Sequence, residues 1–422
     1  MKVVSIIAGT FHGNRGAEAM LSTTIGELKE CYGSELELNI YTYYPERDAE
    51  LINDQQISLH SAAPIYLVLV LTPCALIFRL LEILNFRAPQ RILPASVRAL
   101  ARSKALVCLA GVSFVEGRTK FILFNIATIL PAMLLGVPVI KFSQAMGSFK
   151  SLTNKVAARF FLGRCQQVFT RGETTHSYLQ ELFGNKPIYQ RANDVAFLFR
   201  PEFCLSRELV DISKELVELE TLKKSGRIIV GICPSVVVAI GAEKAGWDYQ
   251  ARMQELISRI TNHGYIVALY PNATRGEDMD KTHNNDLPLI HGIIQGLAPS
   301  IQDSVICFSG SLNVAQIFNI IGSCDVHAVS RFHAMIASLA LEIPVMVIGW
   351  SHKYLEVMEQ FEQQDMVLDY KEGKIEPIIK CIEQLILERS HRSIQIGQAL
   401  PTNQQLSSRQ IDYLILFLNH NT

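Results

Sequence analysis

Short apolar runs rich in Val and Ile alternate with helical patterns along nearly the whole chain, and this alternation limits the fold more than any other feature. Strand, helix, strand in succession is the signature of parallel α/β architecture. Val3–Ala8 reads as a first strand and Ala17–Cys31 as a helix. Leu36–Tyr41, Ala105–Ala110, Val137–Ser143 and Gln167–Thr170 read as further strands, with helical stretches around 121–135, 151–163 and 174–183. Near residue 200 the rhythm changes to a charged stretch, SRELVDISKELVELETLKK, ending at Ser225-Gly226. The strand RIIVGICPS then restarts the alternation, followed by Tyr265–Tyr270, Ser304–Cys307, Asp325–Ala328 and Val345–Ile348. Helices are expected near 247–263, 313–321, 331–341 and 353–361. The expected organisation is an N-terminal α/β domain over 1–200, a connecting helix over 201–225, a C-terminal α/β domain over 226–400 and a terminal helix over 401–422. Two doubly wound domains with a cleft between them would bind ligands beyond the carboxyl ends of their strands.

Composition narrows the function. With 422 residues, 49% hydrophobic and 19% charged, the chain is long and apolar enough for sizeable cores, and disorder is excluded. Its 39 basic and 40 acidic residues give a net charge of -1, without the basic excess that nucleic-acid binding requires. Nine cysteines lie far apart with no C-x-x-C or metal-ligand spacing, which points to a reducing, cytoplasmic compartment. The opening MKVVSIIAGTFHGNRG breaks into polar residues too early for a signal peptide and reads as a buried strand.

A mean hydropathy of +0.20 is high for a soluble enzyme. One source is the run IYLVLVLTPCALIF at 65–78, shorter than a bilayer span, within an apolar basic segment over 65–104. From Ile65 to Lys150 there are ten Lys and Arg against two acids, a local excess of +8. Apolar residues beside cations suit a peripheral contact with the inner face of a plasma membrane. Buried helices with a basic rim are the other reading.

The loops after the strands carry the polar candidates. Gly9-Thr10-Phe11-His12-Gly13-Asn14-Arg15-Gly16 opens a helix, and Asn14, Arg15 and Glu18 are placed to hold hydroxyls or phosphate. The pattern matches neither dinucleotide nor P-loop fingerprints. LVCLAGVSFVEGR ends a strand with Ser113, GVPVIKFSQAMGSFK ends another with Ser143 and Gln144, and VFTRGE places Arg171 just past a third. The loop ALYPNATRGEDMDKTHNND sets Arg275, Asp278, Asp280 and His283 together, as either a solvated loop or a metal site. In DVHAVSRFHA, Ser330 reads as a helix cap with Arg331 and His333 in the first turn. Cations there oppose the helix dipole unless an anion is bound, so the placement points to a ligand, with Lys353 as a third cation.

These stretches together resemble the polysaccharide pyruvyl transferase family: GNRGAEAM at 13–20, LAGVSF at 109–114, GVPVIKFSQAMGSF at 136–149, FTRGETTHSYLQELFG at 169–184, NDVAFLF at 193–199 and VSRFHAMIASLALEIPVMVIGWSHKY at 329–354. The R-x-H-A helix, the I-P-V strand and the following Lys carry it most specifically. The resemblance implies two Rossmann-like domains in a GT-B-type arrangement, phosphoenolpyruvate as donor and co-substrate, and a glycan or lipid-linked oligosaccharide diol as acceptor. It implies donor binding by Arg171, Arg331, Lys353, Ser143 and Gln144, acceptor binding by Asn14, Arg15, Glu18 and Ser113, and acid–base chemistry at His333. It requires no metal and no separate cofactor, since cations of the protein stabilise the anions. Ala17 and Val112 depart from the acid and the glycine frequent in the family, and segment 65–104 has no counterpart among its motifs.

Two other functions share this plan. A nucleotide-sugar glycosyltransferase or epimerase would need a late acid for ribose, for which Glu356 and Glu359 are the candidates. The other is a non-catalytic glycan- or membrane-binding member of the family.

Overall fold

The computed structural model describes residues 1–420 except 85–92, 118–120, 277, 282, 350 and 351. Arg87 and Arg91 of the apolar basic segment, and Arg118 and Lys120 beyond it, therefore lie outside the described residues. The chain divides into two compact units. The first comprises Met1–His12, Met20–Phe199 and Gln405–Thr422; the second comprises Gly13–Ala19 and Arg200–Gln404.

The first unit holds β1 (Lys2–Ile7), β2 (Leu36–Thr42), β3 (Ile57–Ser61), β4 (Ala105–Cys108), β5 (Val112–Val115), β6 (Val139–Gly147), β7 (Gln167–Arg171) and β8 (Tyr189–Ala192). They pair in the order β3-β2-β1-β4-β6-β7-β8, all parallel, with β5 added against β6. β1 is buried at every residue, as a parallel strand covered on both faces must be. Its helices are α1 (Arg15–Tyr32, which begins among the second unit's residues), α2 (Pro45–Leu51), α3 (Pro64–Ile83), α4 (Ala95–Arg102), α5 (Ile122–Ala127), α6 (Leu130–Leu134), α7 (Leu152–Leu162) and α8 (Gly172–Phe183). The single helix expected over 121–135 is thus two short ones, α6 restarting at Leu130-Pro131.

Helix α3 extends the apolar run beyond what the sequence outlines. It spans 20 residues at a mean hydropathy of 2.1, long and apolar enough by length and composition to cross a membrane, yet only 17% of its apolar window is buried. Leu67, Leu71 and Ala75 on one stripe enter the core beside Val97 and Leu100, while Ile65, Leu69, Leu76 and Leu80 are exposed. Pro73 follows a π-type turn at Leu67–Leu71, where the Thr72 hydroxyl donates to the Leu67 carbonyl at 2.7 Å.

The second unit holds β9 (Ile229–Cys233), β10 (Ile266–Leu269), β11 (Val305–Cys307), β12 (Val326–Val329), β13 (Val345–Gly349) and β14 (Val367–Asp369). Their order, β11-β10-β9-β12-β13-β14, is the doubly wound dinucleotide-fold order with its switch point between β9 and β12. Its principal helices are α9 (Ser213–Lys224), α10 (Val236–Lys244), α11 (Tyr249–Asn262), α12 (Leu287–Gln295), α13 (Val314–Ser323), α14 (Phe332–Ala340), α15 (His352–Gln360) and α16 (Ile375–His420, which ends among the first unit's residues). The charged stretch from Ser206 becomes helical only at Ser213. His327 lies wholly buried in β12, its Nδ1 3.0 Å from the Ser338 hydroxyl, and a Cβ on Gly231 of β9 would stand 1.9 Å from its ring. Burial pushes its pKa down to about 3, so it is neutral and structural, as its place within the strand pattern predicts.

Candidate functional site

The second unit's switch point collects the most chemistry. Ser330 leaves β12 with its amide on the Cys233 carbonyl at 2.9 Å, its hydroxyl 2.7 Å from the Tyr249 hydroxyl, and its carbonyl accepting from Tyr354 at 3.2 Å. Ser330 is thus fully engaged and does not cap α14: Arg331 occupies the N-cap position with no capping side-chain bond. The N-terminus of α14 thus takes no side-chain cap from Arg331, and a helix N-terminus of this kind favours an anion.

Arg331 carries an anion of its own. Its Nε donates to Asp286 Oδ2 at 2.9 Å, its Nη2 pairs with Asp286 Oδ1, and its Nη1 donates to Asn284 at 2.7 Å. Burial alone would lower the guanidinium pKa, but Asp286 outweighs it and holds the pKa above its ordinary range. The unfavourable cation at a helix N-terminus, which the sequence presents as needing a ligand, is thus offset from within the unit. Asp286 also accepts from the amides of Val236 at 3.0 Å and Ala273 at 2.9 Å, so one buried carboxylate ties α10, the loop after β10 and Arg331 together.

His333 sits in the first turn of α14, its ring 5.3 Å from that of Phe332 in an edge-to-face contact. Lys353 Nζ lies 4.4 Å from the Phe332 ring centroid. Residues 13–19 join this group. Asn14 bridges antiparallel to Ala273, Gly13 accepts from the Thr274 amide at 2.8 Å, and the Arg15 amide donates to Asn272 at 3.2 Å. Asn14 Oδ1 caps α1 through the Gly16 amide at 3.1 Å. A Cβ on Gly16 would stand 2.0 Å from His333 Nδ1, so the absence of a side chain there lets the imidazole lie against the loop. Two motifs more than three hundred residues apart in sequence thereby become one site. Arg15 and Glu18 are buried and paired, and the Ser206 hydroxyl donates to Glu18. Both side chains brace the loop.

The polysaccharide pyruvyl transferase profile matches residues 14–352, which include both motifs. The chain belongs to the polysaccharide pyruvyl transferase family. Among solved structures, S. aureus MnaA with UDP is 12% identical over 99% of this chain and 97% of that one, with a TM-score of 0.59. UDP-GlcNAc 2-epimerase from Neisseria meningitidis, bound to UDP-GlcNAc, is 11% identical over 98% and 99%, with a TM-score of 0.54. An α,α-trehalose-phosphate synthase from Burkholderia vietnamiensis is 9% identical over 100% and 99%, with a TM-score of 0.55. At such identities the likeness concerns the fold alone: Rossmann-like α/β domains of the GT-B class.

The first unit of this family member gathers the remaining predicted residues. Arg171, at the end of β7, is no surface residue: it is buried, pairs with Asp194 at 2.8 Å and donates to the Ser143 carbonyl at 3.0 Å. The Ser143 amide donates to Gln410 at 2.8 Å. The Ser113 hydroxyl donates to Gln144 Oε1 at 2.6 Å, and Gln144 Nε2 donates to the Cys108 carbonyl at 2.9 Å. Ser113 also lines a cavity of about 190 Å³ with Tyr43, Phe124 and Asn125.

Sequence reasoning passed over both carboxylate partners. Asp194 stands in the NDVAFLF motif, where the sequence alone gives its acid no role, and Asp286 precedes Leu-Pro as a helix cap would. In the polar loop, Asp278 pairs with Lys281 at 2.9 Å on the surface, and no group of three or more His, Cys, Asp or Glu among the described residues is placed to hold a metal. Glu356 and Glu359 lie along α15.

Proposed function

We propose that the protein transfers the enolpyruvyl group of phosphoenolpyruvate to a sugar diol of a cell-surface polysaccharide or its lipid-linked precursor, forming a pyruvate ketal and inorganic phosphate. The observation that carries this reading is the junction of Gly16 and His333 in the first turn of α14. The donor's carboxylate and phosphate suit that N-terminus and the Lys353 ammonium, with Arg331 fixed by Asp286 as the rigid edge of the site. His333 is the acid–base group. One acceptor hydroxyl forms a bond to the donor's C2 while C3 gains a proton; the second forms another bond to C2 as the C2–O bond to phosphate breaks. One hydroxyl proton balances the proton gained at C3, and the other leaves with the phosphate.

The cavity at Ser113, with the Tyr43 and Phe124 rings and the Asn125 amide, is the acceptor candidate of the first unit. The scheme draws no step from Arg171 or Gln144, whose side chains are engaged within that unit. Nine free cysteines suit the cytoplasm, where the reading places the enzyme. The deciding experiment is phosphate release from phosphoenolpyruvate across a panel of glycan acceptors, with His333→Gln alongside. Acceptor-dependent release that this variant loses while still binding donor supports the reading. Thermal stabilisation by UDP-sugars but not by phosphoenolpyruvate sinks it.

A further inference from the structure

We propose that the α3, α5 and α7 layer of the first unit is a docking face for an anionic membrane surface, on which the protein lies without crossing. Helix α3 packs on α6, α6 on α5, and α5 on α7, so the layer is continuous. Each of its long helices presents apolar side chains to solvent. On α7 these are Leu152, Val156 and Phe160, spaced by four residues and so on one face, with Leu152 75% exposed. On α3 they are Leu69, Leu76 and Leu80, and on α5 Leu123. A soluble surface rarely leaves so many large apolar side chains uncovered on neighbouring helices.

Charge selects the occupant. Residues 64–164 contain thirteen Lys and Arg against two acids in a chain of net -1; Lys141 among them is buried in β6, and Arg87, Arg91, Arg118 and Lys120 lie outside the described residues. Lys155, Arg159 and Arg164 are exposed beside the apolar stripe of α7, and the Arg164 guanidinium lies 3.5 Å from the Phe160 ring centroid. A second copy would bring the same positive charge to the contact, whereas anionic lipid headgroups complement it and the acyl boundary takes the leucines. The mode of contact follows from α3. Its Leu67, Leu71 and Ala75 stripe is fixed in the protein core, so lipid cannot surround the helix, and its length does not make it a span. Helix α5, which carries Leu123, also lines the Ser113 cavity through Phe124 and Asn125, so a lipid-linked acceptor would approach from the docked face. This last point rests on the proposed acceptor; the docking does not.

The test is sedimentation of the full-length protein with vesicles of phosphatidylcholine alone or mixed with phosphatidylglycerol, at low and high salt. The expected result is binding at least tenfold tighter to the mixed vesicles, weakened by salt and reversed by alkaline carbonate. Leu76→Glu/Leu80→Glu should weaken binding at least tenfold, and Lys155→Glu or Arg159→Glu by about fivefold or more each. Should the first variant fail to fold by circular dichroism, Val156→Glu/Phe160→Glu on α7 takes its place. The proposal falls if the wild-type protein stays in the supernatant with both vesicle types, or if folded variants bind undiminished. It also falls if carbonate fails to strip the protein, or if it is a dimer that the glutamate variants dissociate.

Discussion

The Nδ1 of His333 lies where a side chain on Gly16 would begin: a Cβ there would stand 2.0 Å from it and 2.3 Å from the ring Cγ. Gly16→Ala therefore separates activity from stability. Alanine in the first turn of α1 favours the helix by up to about 1 kcal/mol, while the imidazole must swing away from its place. Expected is a folded protein with a thermal midpoint close to wild type and phosphate release slowed about 100-fold. Unchanged turnover would show that His333 does not act from this position.

Most strands legible in the sequence, such as β1 and β9, are buried on both faces, because full burial leaves no polar alternation to confuse the pattern; the edge strand β11, only partly buried, is the exception. β3 and β14, at the sheet edges and partly exposed, carry no such run and were not anticipated. The R-x-H motif was legible, but its electrostatics were not. Asp286 stands before Leu-Pro as an N-cap would, yet its carboxylate turns to Arg331 and the amides of Val236 and Ala273, and makes no cap bond. Only the folded chain shows that an arginine is already matched by an acid forty-five residues upstream.

That pair gives the second prediction. Asp286→Ala leaves Arg331 buried without its carboxylate and three backbone amides without their acceptor, and should cost about 3–5 kcal/mol in urea denaturation. Asp286→Ala/Arg331→Met removes the stranded charge as well and should be more stable than the single variant. If the two losses simply add, the ion pair does not organise this loop.

His327 sets a pH dependence whose direction is fixed. Its folded pKa of about 3 lies below the ordinary value of 6.5, so between the two the unfolded chain binds a proton that the folded chain does not. Stability should fall by about 1.4 kcal/mol per pH unit from this group as pH drops below 6.5, with no contribution above it. His327→Gln should make the acid limb shallower by about one proton while lowering stability at neutral pH. An unaltered slope would mean that His327 is not the group responsible.

Lys353 distinguishes a ligand cation from a packing residue. Over the Phe332 ring at 4.4 Å its ammonium is worth about 0.5–2 kcal/mol in the folded state, so Lys353→Met should lower stability only modestly. If the ammonium also meets the donor's carboxylate or phosphate, the same variant should raise the KM for phosphoenolpyruvate about tenfold or more, since a charge-assisted hydrogen bond of about 1.5–3 kcal/mol is lost. Lys353→Arg should recover part of that loss, and kcat should change less than KM in both, because the charge meets the donor before any bond is made. A KM equal to wild type in Lys353→Met, with stability reduced as expected, would leave the lysine as a lid on Phe332 and move donor recognition to the amides of α14 alone.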